Sequence, residues 1–204
     1  MKRLLKYPQV YNFYQRLIGA DSYLKKFAYV FLNQGDNIKI LDLGCGTSNI
    51  LKFLTLSKKE KNISYVGIDV SEKYIEYTKK KFPDGVYFVQ SVCDQINVDM
   101  KFDLIICLAV MAALDDDKLK DMFGVICSKA NMSTKIILSD MNCRENANAL
   151  EKFFYRNERN SYVRREEEYR QIITQYFNID KVHYWDNVYR IPYSKVIFEC
   201  SIKN

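Results

Sequence analysis

The stretch Ile38-Lys39-Ile40-Leu41-Asp42-Leu43-Gly44-Cys45-Gly46-Thr47-Ser48 decides how this chain is read. A short apolar run bounded by turn residues is a buried strand rather than a helix. Gly44 and Gly46 follow it at once, and a glycine lets the backbone turn tightly and approach another molecule with no Cβ in the way. Ile50, Phe53 and Leu54 then supply a helical stripe, so the whole segment is a strand, a tight loop and a helix.

Working outward, the same strand-and-helix alternation repeats. Tyr65 to Val70 is a second buried strand. Ser71 is placed as the N-cap of the next helix, with Glu72 in its first turn and Tyr74, Ile75 and Thr78 facing inward. Lys79 to Lys81 close that helix before Pro83 forbids its extension. Val86 to Val92 and Phe102 to Leu108 are the third and fourth strands. Asp115-Asp116-Asp117 opens a helix with the stripe Leu119, Met122, Phe123 and Ile126, and Lys135 to Ser139 is the fifth strand. A charged, aromatic region from about 148 to 177 is expected to be helical. Two β-rich runs, Val182 to Trp185 and Val196 to Cys200, end the chain around a hairpin-length loop with Pro192. Before the first strand, two helices are expected to end at the Asn33–Asp36 turn, with Tyr11, Tyr14, Leu17 and Ile18 on one face and Leu24, Phe27 and Phe31 on another.

Strands separated by helices imply βαβ units and a doubly wound, mostly parallel sheet of seven strands. Its last two strands lack an intervening helix, so the final one is expected to be antiparallel and inserted beside the fifth. Residues 1–35 form a small helical cap and 36–204 the main α/β domain.

In such a sheet, ligands bind outside the carboxyl ends of the strands, where strand order reverses. The first strand delivers Asp42, Gly44 and Gly46 to that place. Amides at the following helix start favour an anionic group, such as the carboxylate of a methionine moiety, and Asp42 is placed to hold its ammonium group. Asp69 ends the second strand 25 residues beyond Gly44, close to the spacing at which a carboxylate meets ribose hydroxyls. Val70 would flank an adenine. The third position of a GxGxxG fingerprint is Asn49, which disfavours a nicotinamide or flavin dinucleotide.

Together the DxGxG loop, Asp69 after the second strand and the Phe102-Asp103-Leu104-Ile105-Ile106-Cys107 fourth strand resemble class I S-adenosylmethionine (SAM)-dependent methyltransferases. The resemblance covers about residues 37 to 140, with compatible strands to the end. It implies a Rossmann-like methyltransferase fold and bound SAM, released as S-adenosylhomocysteine (SAH) after transfer. It also places Leu108 near the amino-acid end of the cofactor and Val92 beside its adenine. Two departures stand out: Ser48 replaces the third glycine of the loop, and Ser91 stands where an acidic residue usually ends the third strand, with Asp94 three residues on. The overall outline, including Arg190-Ile191-Pro192-Tyr193, resembles small bacterial methyltransferases of surface-polysaccharide clusters, which implies a sugar or nucleotide-linked sugar hydroxyl as acceptor.

The acceptor side is less marked. Leu108 to Leu114 carries no histidine, and neither a (D/N)PPY segment nor a Pro-Cys nucleophile is present, so nucleic acid loses support as a substrate. Tyr11 and Asp140 are the candidate substrate residues, the first from a helix over the site and the second just past the fifth strand. No general base stands out. His183 lies in a strand-like run and is expected to pack. Arg156, Arg159, Arg164 and Arg165, interspersed with Glu166 to Glu168, are expected on a solvated helix face. An RNA or protein acceptor, or a SAM-binding module without catalysis, remains the alternative.

Composition sets the remaining bounds. The 204 residues are 48% apolar and 27% charged, as a folded domain requires. No apolar run reaches the roughly 20 residues needed to span a bilayer, and the start does not read as a signal peptide, so a cytoplasmic location is expected. The six cysteines stand singly beside one histidine, a poor set for zinc, and no metal is expected. The net charge of +6 is a mild tilt rather than a polybasic tail. The oligomeric state is left open.

Overall fold

The computed structural model describes residues 4–32, 37–57, 63–144, 147, 149, 151–152, 162–186 and 188–203. The turn expected at 33–36, the boundary drawn at residue 35 and most of the expected helical region between 148 and 161, with Arg156 and Arg159, lie outside the described residues.

Two helices, α1 (Pro8–Leu17) and α2 (Ala20–Phe31), precede β1 (Ile38–Leu43). Then come α3 (Leu51–Ser57), β2 (Ile63–Asp69), α4 (Glu72–Lys81), β3 (Val86–Val89) and β4 (Leu104–Leu108). The chain continues through α5 (Asp116–Lys129), β5 (Lys135–Met141), α6 (Glu166–Ile173), β6 (Phe177–Trp185) and β7 (Lys195–Ile202). The strands form one sheet in the order β3-β2-β1-β4-β5-β7-β6. β1 to β5 run parallel, and β7 lies antiparallel between β5 and β6. This is the doubly wound arrangement expected, with the last strand inserted beside the fifth.

Alternation along β1 sorts its side chains between the two faces. Leu41 and Leu43 enter a core with α5 and α6, through Leu119, Met122, Phe123, Ile126, Tyr169 and Ile173. Ile38 and Ile40 enter the opposite core with Phe27 and Phe31 of α2 and Leu51 and Leu54 of α3. Asp42, two residues past Ile40, therefore faces the side that α1, α2 and α3 cover. Both faces are roofed, as near-continuous apolar strands require.

Local signals behave as chemistry dictates at the helix starts. Ser71 Oγ accepts from Tyr74 N, and Asp115 Oδ1 accepts from Lys118 N at 2.9 Å, each capping its helix. Five expectations need correction. β3 ends at Val89 rather than Val92, and β4 begins at Leu104 rather than Phe102. The helix expected to reach residue 177 ends at Ile173, and β6 starts at Phe177 because the whole run to Trp185 pairs with β7. Leu17 is 53% exposed and does not share the inward face of its neighbours.

Arg164 is the fifth departure. It is buried rather than solvated, and its guanidinium donates to the carbonyls of Met111, Leu114 and Tyr162 and to Asp116. A planar fork of five donors suits that task. It ties the turn after β4 to the segment that leads into α6.

Candidate active site

β1 and β4 adjoin, yet the chain leaves β1 toward β2 and leaves β4 toward β5. The loops after these two strands therefore diverge and open a crevice at their carboxyl ends. Gly44 and Gly46 occupy it with φ of 76° and 54°. The amides of Gly44 and Cys45 both donate to Ile68 O, at 2.8 and 2.9 Å, which binds the turn to β2. The two glycines serve different ends. A Cβ on Gly44 would fall 2.2 Å from Val110 Cγ2, whereas one on Gly46 would meet nothing within 4 Å. Gly44 is needed for packing; Gly46 leaves open space above its backbone. Ser48, in place of a third glycine, adopts φ 47°.

Asp69 spans the base of this loop. Its Oδ2 accepts from Gly46 N at 2.9 Å and its Oδ1 from Ser71 N at 2.8 Å. Beside it Val70 is 72% exposed, an apolar side chain standing in water at the rim of the crevice. Asp42 is buried and accepts from the Tyr65 hydroxyl at 2.6 Å. Burial pushes its carboxyl up from 3.8 to about 7; the Tyr65 hydrogen bond pulls it partly back, and the Asp69 charge raises it again. α1 is pinned to the same loop through buried Asn12, whose Oδ1 accepts from Thr47 Oγ1 at 2.8 Å and from Asn49 Nδ2 at 2.6 Å.

A cavity of about 190 Å³ runs from this loop under α1 and α2. Asp42, Gly44, Gly46, Leu108, Tyr11 and Asp140 all line it, so residues read separately from the sequence converge there. Asp69 and Val70 sit at the loop's other side, outside the cavity. The Val92 side chain is buried in the core with Val66 and Ile68. Asp140 is fully buried and accepts from Ala112 N at 2.9 Å and Met141 N at 2.7 Å, which fixes the turn after β4 against β5.

The far end of the cavity is built by Tyr23, Tyr189 and Lys195, which the sequence reading passed over, together with Tyr193, and Tyr14 of α1 lines it as Tyr11 does. Tyr23 hydrogen-bonds Ser139 Oγ at 2.7 Å and stacks on Tyr189 at 5.5 Å. Arg190 N donates to Ile18 O at 2.7 Å, so the segment before β7 closes on the α1–α2 corner. Burial pushes the Tyr23 and Tyr189 phenols up, which keeps them protonated as donors. The signal that could have exposed this end is Tyr193-Ser194-Lys195, a lysine opening an apolar strand that lies beside the end of β5.

A family model described as a methyltransferase domain matches residues 34–192, most of the chain, including the loops after β1 and β4. The chain belongs to that family. Protein 235L of Invertebrate iridescent virus 6, whose name assigns it to the methyltransferases, is 30% identical to this methyltransferase-domain chain over 79 residues. That stretch is 37% of the chain and 29% of the viral protein, so less than a third of that relative is matched.

Solved structures share the fold. A TehB-like SAM-dependent methyltransferase from Corynebacterium glutamicum superposes with TM-score 0.67 at 16% identity, covering 96% of this chain and 98% of that one. A SAM-dependent methyltransferase from Clostridium acetobutylicum gives 0.69 at 16% identity, with the same coverage of 96% and 98%. Magnesium protoporphyrin IX methyltransferase from Synechocystis, solved with SAH, gives 0.69 at 20% identity over 94% and 88%.

Other groups of the methyltransferase domain lie away from the crevice or are inert. His183 pairs with Glu199 and meets the Phe31 ring edge-on at 5.4 Å, a packed strand residue. Burial pushes the Cys45, Cys107 and Cys200 thiols up, so they act as small apolar groups. Among the described residues no cluster of three His, Cys, Asp or Glu could hold a metal. No helix among them is long and apolar enough to cross a membrane.

Proposed function

We propose that this chain binds SAM across the crevice and transfers its methyl group to a small-molecule acceptor held in the tyrosine-lined cavity. The observation that carries the proposal is the pairing of two carboxylates around one open loop. Asp69 bridges Gly46 and Ser71 on one side, Asp42 lines the cavity on the other, and the space over Gly46 is clear.

SAM when bound supplies an electrophilic methyl on a sulfonium. Asp69 is assigned to the ribose hydroxyls and the exposed Val70 to one face of the adenine, with Val92 close by. Asp42 is assigned to the ammonium, directly or through a water, and the loop at Gly44 and Gly46 to the carboxylate end. Leu108 lies beside the amino-acid portion. An ammonium beside Asp42 would restore its charge, because an opposite charge favours the ionised carboxylate.

Methyl transfer is an in-line displacement, so the protein's main contribution is to hold the acceptor oxygen in line at near-attack distance. The tyrosine rings give flat faces on which a small ring can lie, and their phenols and Asp140 offer polar contacts. Enclosure under α1, α2 and the segment before β7 favours a small molecule over an RNA strand or a protein surface. The resemblance read from the sequence implies a sugar hydroxyl as the narrower acceptor, and a sugar ring is one molecule that fits such faces. The test is transfer of a labelled methyl from SAM to a panel of sugars, nucleotide-linked sugars, phenols and carboxylic acids. Turnover of any of these carries the proposal; labelling of RNA or protein alone overturns the acceptor class.

A further inference from the structure

Asn12 lies on the buried side of α1, only 8% exposed. Its Oδ1 is doubly used, accepting from Thr47 Oγ1 at 2.8 Å and from Asn49 Nδ2 at 2.6 Å. Its Nδ2 is buried and meets no acceptor among the described residues. Such a donor is rare in a folded protein, because leaving water without a replacement bond is costly.

Which end of this amide is free follows from its neighbours. Lys81 Nζ donates to Asn49 Oδ1 at 3.2 Å, and an ammonium can only donate. Asn49 must therefore turn its oxygen toward Lys81 and its NH2 toward Asn12. Asn12 answers that NH2 with its own oxygen, which leaves its NH2 as the free end. A flipped Asn12 would set two NH2 groups against each other.

The free donor belongs to the cofactor side of the cavity. Thr47 and Asn49, the two partners of its oxygen, line that cavity with Gly44 and Gly46, and so do Tyr11 and Gln15 of α1. Amide oxygen and nitrogen share one carbon, so Nδ2 stands beside the same loop. The Lys81 ammonium beyond Asn49 makes these surroundings favourable to an anion.

We propose that Asn12 Nδ2 donates to the carboxylate in the methionine portion of SAM, so that α1 forms part of the cofactor site. The inference rests on the methyltransferase reading of the same crevice and adds a side-chain donor to the loop assigned to that carboxylate. The contact also fastens α1, the roof of the acceptor cavity, to the bound cofactor.

The test compares SAH with S-adenosyl-3-thiopropylamine, which is SAH without its carboxylate, by calorimetry at pH 8 on the full chain. The readout is the ratio of the two affinities, because loosening α1 weakens both ligands alike. Asn12→Ala removes the donor and is expected to lower the preference for SAH about tenfold, the loss of one bond to a charged group. Asn12→Asp keeps an oxygen for Thr47 and Asn49 and sets a second carboxylate oxygen where the donor stood. It is expected to lower that preference further, since a like charge is added to the lost bond. An unchanged preference overturns the inference, even where both affinities fall, since an equal fall reports only the anchoring of α1; the cofactor reading then stands. No SAH binding by folded wild type overturns the methyltransferase reading and the inference with it. Should Asn12→Asp not fold, Asn12→Ala decides the matter.

Discussion

Asp42→Asn separates what this carboxylate does for folding from what it does for binding. Asp42 is buried against Tyr65, and its carboxyl is raised from 3.8 to about 7. A carboxyl raised in the folded state binds its proton where the unfolded chain has already lost it. Its contribution to stability therefore falls as pH rises from about 4 to about 7 and is flat above. The full penalty at pH 8 is about 4 kcal/mol at most. Asparagine removes it, keeps an oxygen for the Tyr65 hydroxyl, and adds a buried NH2 that costs about 1–3 kcal/mol if unmet. A net gain of about 1–3 kcal/mol at pH 8 follows, a rise in Tm of roughly 2–12 °C for a chain of this size. That gain shrinks by about 2–3 kcal/mol at pH 5, where wild type carries its proton. The same change removes the charge assigned to the ammonium, so SAH affinity falls about tenfold or more. Thermal denaturation at pH 5 and 8, with calorimetry of SAH at pH 8, reads both effects. A variant with equal relative stability at the two pH values, or one that is more stable yet binds SAH with full affinity, refutes the reasoning.

Further predictions follow from contacts around the loop. Gly44→Ala drives a methyl into Val110 at φ 76° and should lose about 3 kcal/mol in denaturant unfolding, part of it recovered by Val110→Ala. Gly46→Ala should cost only about 1 kcal/mol, since its Cβ meets open space, but should weaken SAH binding, read by calorimetry, because the methyl enters the ligand's volume. Arg164→Met strips three carbonyls and Asp116 of their donor and should lower stability by about 3 kcal/mol, seen as a Tm drop of roughly 6–12 °C.

Much of this fold was legible because its first half is made of local signals. β1 runs into its glycines, Ser71 and Asp115 cap helices, and the apolar stripe of α5 repeats at helical spacing, all within a few residues of chain. The end of α6 and the start of β6 were misplaced for the opposite reason. The residues from Phe177 onward are held by pairing with β7, a contact made across the sheet that no local period reports. The site divides in the same way. Asp42, Gly44, Gly46 and Asp69 sit at strand ends, where topology alone puts them together. Lys195, Tyr189 and Tyr193 reach the cavity only because β7 inserts beside β5, and Tyr23 only because α2 folds back over β5 to meet Ser139. Arg164 was misjudged because its neighbours are charged; its partners are carbonyls from a turn some fifty residues earlier.

Whether the loop between Asp42 and Asp69 holds the cofactor is tested most directly by calorimetry of SAH on wild type and Asp69→Ala. Wild type is expected to bind one SAH per chain, and Asp69→Ala to lose at least tenfold in affinity while remaining folded by circular dichroism. Absence of SAH binding by folded wild type would contradict the assignment of this crevice, and full affinity in Asp69→Ala would contradict the role given to that carboxylate.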